Sequence, residues 1–115
     1  IILSDTFVQF SEPMMAKLGN PTLFCHELEI DPDGRIKDYH LRQPDQKQKA
    51  VQALQGLNFR VIAAGDSWND RTMLTAADHG ILFRPPDSLR EAEPDMPVTR
   101  THPELKAAIE AAFED

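Results

Sequence analysis

Two short apolar runs constrain this chain most: Ile1-Ile2-Leu3 and Val61-Ile62-Ala63-Ala64. Neither alternates with polar residues, so both read as strands buried on two faces. Parallel sheets meet that demand by covering themselves with helices. Phe7, Phe10, Met14 and Leu18 recur at spacings of three and four, which predicts an amphipathic helix stopped by Gly19-Asn20-Pro21. Thr22 to Phe24 predicts a further strand. Glu27 to Asp31 and Arg35 to Leu41 flank Asp31-Pro32-Asp33-Gly34. Proline presets one turn angle and glycine supplies a positive φ, so a β-hairpin is expected over about 27–41. Asp45 is expected to cap a helix running to Leu54 and ending at Gly56. Beyond it come a strand over Arg60 to Gly65, a short helix over Asp70 to Ala77 and a strand over Gly80 to Phe83. Ser88 to Glu93 predicts one or two helical turns, and Pro97-Val98-Thr99 a weak strand. The last helix is capped by Thr101, with Glu104 as its capping-box partner. Strands alternating with helices predict an α/β fold: a parallel sheet with helices on both faces.

The length of 115 residues suits one domain. Lys and Arg number 12 against 19 Asp and Glu, a net charge of −7. Such a chain repels phosphate backbones and anionic lipid, so neither nucleic acid nor membrane is an expected partner. Cys25 is the single cysteine, which excludes an intramolecular disulfide and suits a cytoplasmic location. No apolar run approaches the ~18 residues of a membrane span. The sequence opens on an apolar strand without Met, and reads as the carboxyl-terminal part of a longer protein.

In open α/β sheets, ligands bind beyond the carboxyl ends of strands. Two predicted strands end in polar residues there: Ser4-Asp5-Thr6, and Gly65-Asp66-Ser67-Trp68-Asn69-Asp70. Asp66 and Asp70 are hard oxygen donors close enough to suit Mg²⁺. Taken alone, Asp70 reads better as a helix cap, and Asp66 reads equally as a ligand or a loop residue. A hydroxyl at a strand-to-helix junction, as expected for Ser4, can bind an anion, though taken alone Ser4 reads better as a plain N-cap. Lys47 shares a helix face with Ala50, Val51 and Leu54, so its ammonium must snorkel or meet an anion, whereas Lys49 reads as a surface lysine. His26, His40, His79 and His102 are dispersed and read as surface or hairpin residues. Cys25 reads as a small core residue. Trp68 either walls the acidic loop or simply packs. Arg42 and Arg84 read as exposed arginines.

Together the set has an order. Leu-Ser-Asp-Thr-Phe (3–7), Lys47 and Gly-Asp-Ser-Trp-Asn-Asp (65–70) resemble three of the four motifs of the haloacid-dehalogenase (HAD) superfamily of phosphatases. Ile-Leu-Ser-Asp-Thr-Phe, Cys-His-Glu-Leu-Glu-Ile-Asp, Leu-Arg-Gln, Arg-Val-Ile-Ala-Ala-Gly-Asp-Ser and Gly-Ile-Leu-Phe are similar to its phosphoserine phosphatase/homoserine phosphotransferase (ThrH) type. The resemblance implies a Rossmann-like HAD core over 1–115 that is incomplete, without the amino-terminal nucleophile strand and cap. It implies that Ser4, with the backbone N–H groups of Asp5 and Thr6, binds phosphoryl oxygens. Lys47 would neutralise phosphoryl charge, so Ser4 and Lys47 are the implied catalytic residues. Asp66 would ligate Mg²⁺ directly and Asp70 through water, and Asn69 would contact phosphate or substrate. The Asp-x-Asp nucleophile motif is absent, so this chain alone is expected to be inactive. The implied activity of the longer protein is Mg²⁺-dependent hydrolysis of phosphoserine through an aspartyl-phosphate, with possible phosphoryl transfer to homoserine. Two alternatives stand beside it: a HAD phosphatase for another small phosphomonoester, and a non-catalytic α/β module that binds Mg²⁺ or phosphate or pairs with another chain. In the HAD core the Ile1–Ser4 and Arg60–Gly65 strands flank the nucleophile strand. The sheet is therefore expected to be discontinuous, and the missing half or another copy is an expected partner.

Overall fold

The computed structural model describes every residue, Ile1–Asp115. The chain divides into two compact units, Ile1–Gln46 and Lys47–Asp115.

The first unit holds β1 (Ile2–Phe7), α1 (Val8–Lys17), β2 (Leu23–Ile30) and β3 (Ile36–His40). Its sheet runs β1-β2-β3, with β1 parallel to β2 and β3 antiparallel to β2. The expected strand at Thr22 and first hairpin arm at Glu27 are one continuous strand, β2. The hairpin turn closes as expected: the Asp31 carboxylate accepts the N–H groups of Asp33 and Arg35 at 3.0 and 2.9 Å. Gly34 takes φ +82° there, which a β-carbon would disfavour.

Three expectations for this unit need correction. Ser4, Asp5 and Thr6 do not break the first strand; they lie inside β1, which runs on to Phe7. They form a bulge. Leu3 pairs with Phe24 and Phe7 with His26, so three residues of β1 stand opposite Cys25 alone. Ser4 is therefore not at a helix start, since α1 begins at Val8. Next, α1 buries Ser11 and leaves Phe10, Met14 and Leu18, its apolar stripe, exposed. Periodicity located the stripe, and only Phe7 at its start is half-buried, meeting the Phe10 ring edge-on. Finally, Asp45 has φ +50°, not the extended backbone of an N-cap. The helix after it, α2, spans Gln46–Gly56.

The second unit holds the rest of α2, then β4 (Ile62–Gly65), a 3₁₀ turn (Trp68–Asp70) and α3 (Arg71–Ala76). β5 (His79–Phe83), α4 (Asp87–Ala92), β6 (Val98–Thr99) and α5 (His102–Glu114) complete it. Its sheet is wholly parallel in the order β4-β5-β6, and α3 and α5 pack on it. Val51, Leu74, Ile81, Leu82 and Leu89 are fully buried. Both capping-box bonds form at α5: the Glu104 N–H donates to Thr101 Oγ1 at 3.3 Å, and Glu104 Oε2 accepts the Thr101 N–H at 3.3 Å. The two sheets are separate, and β1 and β4 are each an edge of their own sheet.

Candidate active site

The second unit brings three of the expected residues to one place. The apolar run of β4 ends at Gly65, and the chain leaves its carboxyl end through Asp66 into the 3₁₀ turn. Asp70 closes that turn and is buried. Its side chain does not cap α3. Instead Oδ1 accepts a bond from Lys47 Nζ at 2.7 Å, while Oδ2 accepts the Asp66 and Ser67 N–H groups at 3.0 and 3.3 Å. The Ser67 hydroxyl also lies 3.3 Å from Oδ2.

Glycine at 65 is what allows this. A β-carbon there would sit 2.6 Å from Asp70 Cβ and 2.7 Å from its Oδ2, closer than atoms can pack. The spacing Gly-Asp-x-x-x-Asp is thus a packing requirement as well as a list of donors.

Lys47 and Asp70 are 11% and 8% exposed, so both charges are largely withdrawn from water. Burial opposes ionisation of Asp70, but the Lys47 ammonium and the Asp66 and Ser67 amides outweigh it and hold the carboxyl below its ordinary range. The helix-face reading of Lys47 holds: Val51, one turn on, is buried, and Lys49 is exposed.

With both Asp70 oxygens engaged, Asp70 is poorly placed to ligate a cation directly, whereas Asp66 is exposed. No three acidic, histidine or cysteine side chains cluster as a complete metal cage. Mg²⁺ takes one or two protein carboxylates and fills its octahedron with water and phosphate, so this donor set fits part of a Mg²⁺ site. Asn69 is exposed, and its Oδ1 accepts a bond from the Ser67 hydroxyl. Trp68 is held at its edge by Nε1 donating to Ser88 Oγ at 3.0 Å, with the Arg71 guanidinium 5.4 Å from its ring centre.

Ser4, Asp5 and Thr6 belong to the first unit. Ser4 Oγ accepts the Thr6 N–H at 3.2 Å, so that amide must be released before it can hold an anion. The Ser4 hydroxyl proton remains available to donate. Gln46 donates to the Ser4 carbonyl and, at 3.3 Å, to Asp5 Oδ1. His26 is not a surface histidine: it is buried in β2, with Nε2 3.5 Å from Asp5 Oδ1. Sequence reasoning missed both Gln46 and His26, because a glutamine at a helix start and an isolated histidine carry no pattern.

The remaining candidates are structural. Arg42 Nε donates to the Cys25 carbonyl at 3.2 Å, and Arg84 Nε to the Arg100 carbonyl at 2.7 Å. Cys25 is buried, and burial pushes its thiol up despite nearby Arg42, as suits a small core residue. One Asp-x-Asp triplet does occur, Asp31-Pro32-Asp33, but it forms the β2–β3 hairpin turn, where the Asp31 carboxylate is taken up by the Asp33 and Arg35 N–H groups.

No family model matches the chain. It is 52% identical over 106 residues, 92% of its own length, to phosphoserine phosphatase ThrH of Pseudomonas aeruginosa. It spans about half the length of this relative and of a second Pseudomonas phosphoserine phosphatase. Among solved structures, a substrate-bound phosphoserine phosphatase complex shares the fold at TM-score 0.71 and 21% identity, covering 95% of this chain and 53% of that one. A HAD family hydrolase from Salmonella enterica serovar Typhi shares it at TM-score 0.66 and 24% identity, covering 84% of this chain and 35% of that one. Over the part it spans, this chain shares the fold of these phosphatase and hydrolase structures and is similar in sequence to ThrH-type phosphoserine phosphatase.

Proposed function

We propose that these residues form the carboxyl-terminal part of one HAD-like core domain in a Mg²⁺-dependent phosphomonoester hydrolase, with phosphoserine as substrate. The observation that carries this reading is the buried Lys47–Asp70 pair at the carboxyl end of β4, with exposed Asp66 beside it. The name of the Pseudomonas aeruginosa relative supports the substrate. Homoserine as a phosphoryl acceptor and a cytoplasmic location belong to the same proposal.

Phosphoryl transfer asks a protein for positioning and charge compensation more than for covalent chemistry. Lys47, oriented by Asp70, places an ammonium where phosphoryl charge would otherwise go uncompensated in a poorly solvated site. Ser4 donates its hydroxyl proton to a phosphoryl oxygen, helped by the Asp5 amide and by the Thr6 amide once that leaves Ser4 Oγ, and Asn69 contacts phosphate or substrate. Asp66 would hold Mg²⁺ directly and Asp70 through water; the ion, when bound, supplies further positive charge toward phosphate. The attacking aspartate of the Asp-x-Asp motif is not among these residues. The edge positions of β1 and β4 are consistent with a strand supplied by an amino-terminal segment or by a second copy.

The test is turnover of phosphoserine and of an aryl phosphate in Mg²⁺, at natural length and for the 115-residue chain alone. The natural-length protein should turn over, and Asp66→Asn should lower its rate on the order of a hundredfold and weaken Mg²⁺ binding. The isolated chain should be inactive until an amino-terminal half is added. Turnover by the isolated chain, lost on Asp66→Asn, would mean that its nucleophile lies within residues 1–115.

A further inference from the structure

We propose that His26 and Gln46 are positioning residues that fix the phosphate-binding bulge Ser4-Asp5-Thr6 by holding Asp5. The proposal rests on the reading of Ser4 given above. The bulge has lost regular ladder pairing, since three residues face one. Side chains must replace what the ladder no longer supplies. Ser4 Oγ takes the Thr6 N–H, Gln46 Nε2 reaches the Ser4 carbonyl, and Gln46 and His26 both turn toward Asp5 Oδ1, at 3.3 and 3.5 Å.

The histidine can serve only in one form. His26 Nδ1 accepts the Arg42 N–H at 3.0 Å, so Nδ1 carries no proton. The ring proton then sits on Nε2, the nitrogen that faces Asp5. The β3-to-α2 connection thereby sets the tautomer through Arg42, and the tautomer sets the donor.

Gln46 is an unfavourable residue if stability alone is at stake. It is 4% exposed, and its Oε1 has no hydrogen-bond partner. Methionine would fill similar space with no buried orphan acceptor. What glutamine adds is the pair of donor bonds onto Ser4 and Asp5. Such bonds define where the Ser4 hydroxyl points, and small misplacement of a positioned group is costly to rate.

The experiment uses the protein at its natural length, with two kinds of readout. Imidazole ¹⁵N NMR should show His26 as the neutral Nε2–H tautomer, and Thr6 amide exchange should quicken in Gln46→Met. With phosphoserine, Gln46→Met and His26→Phe should each lower kcat about tenfold with little change in KM. His26→Gln, which restores an N–H donor near the Nε2 position, should recover most of the loss. An Nδ1–H tautomer, or unchanged Thr6 exchange in Gln46→Met, overturns the network. An intact network whose variants lower only Tm, with kcat unchanged, overturns the positioning role. A wild-type protein that turns over no phosphomonoester removes the phosphatase reading and this role with it, and the NMR readout separates that failure from absence of the network.

Discussion

The two units differ in what they bury. The carboxyl-terminal unit hides Val51, Leu74, Ile81, Leu82 and Leu89 completely, around a parallel sheet. The amino-terminal unit buries Cys25 and Leu28 together with Ser11, His26 and Gln46, and leaves Phe10, Met14, Leu18, Ile36, Tyr39 and Leu41 exposed. The carboxyl-terminal unit also exposes Leu57, Phe59 and Phe113, but its fully buried side chains are all apolar, whereas polar Ser11, His26 and Gln46 outnumber apolar Cys25 and Leu28 among the buried residues of the amino-terminal unit. The proposed site residues follow the same division. Lys47 and Asp70 are set by a packed helix face and by glycine at 65, whereas Ser4 is set by a bulge whose bonds come from side chains.

The largest test removes the charge pair of the carboxyl-terminal unit. Lys47→Met leaves a buried carboxylate uncompensated and should lower unfolding stability by about 4 kcal/mol, as removal of one partner of a buried pair does. Lys49→Met should change it by less than about 0.5 kcal/mol. Denaturant unfolding of both variants decides it, and equal behaviour would break the helix-face argument.

The next test sharpens the contrast in packing. Leu82→Ala opens a cavity in a closed core and should cost about 3 kcal/mol, whereas Met14→Ala, on the exposed stripe of α1, should cost about 0.5 kcal/mol or less. A large Met14→Ala effect at natural length, absent from the 115-residue chain, would show that a further segment or a second copy covers the stripe.

Gly65→Ala should be intermediate, about 2 kcal/mol, because Asp70 must shift to admit a methyl group and the shift disturbs Lys47. Thermal unfolding measures the loss, and a neutral outcome would mean that the turn after β4 yields easily.

The smallest effect is that of acid. Asp70 has its carboxyl depressed in the folded chain, so its contribution is fully present above the unfolded value near 3.9 and is lost as pH falls through the lower folded value. Unfolding free energy followed downward from about pH 5 should therefore decline, and Asp70→Asn should flatten part of that decline. An identical slope in the variant would remove the depressed carboxyl from the account.

Much of this architecture was legible before any coordinates. The runs at Ile1 and Val61, the Pro-Asp-Gly turn and the Thr101–Glu104 capping box each depend on neighbours within a few residues, and each formed, although the first strand runs on through Ser4 to Phe7. The order Ser4, Lys47, Asp66, Asp70 was noticed for a different reason, its resemblance to the motifs of a phosphatase family, and its role in binding phosphate and Mg²⁺ is a proposal. The bulge at Ser4-Asp5-Thr6 was not legible, because Ser and Thr after an apolar run also describe a strand end. Strand pairing with β2, distant in sequence, decides between the two.

The sequence by itself determined periodicities, turns, caps and charge, all properties of short segments. That is why the β-hairpin, the face of Lys47 and the type of donor at Asp66 follow from it. Only the tertiary structure decided that the apolar stripe of α1 is exposed and that His26 is buried against Asp5. It alone decided that Asp70 points to Lys47 instead of capping α3. Each of these depends on which distant residue arrives to pay the desolvation of a polar group or to cover an apolar one, and local pattern carries no record of that arrival.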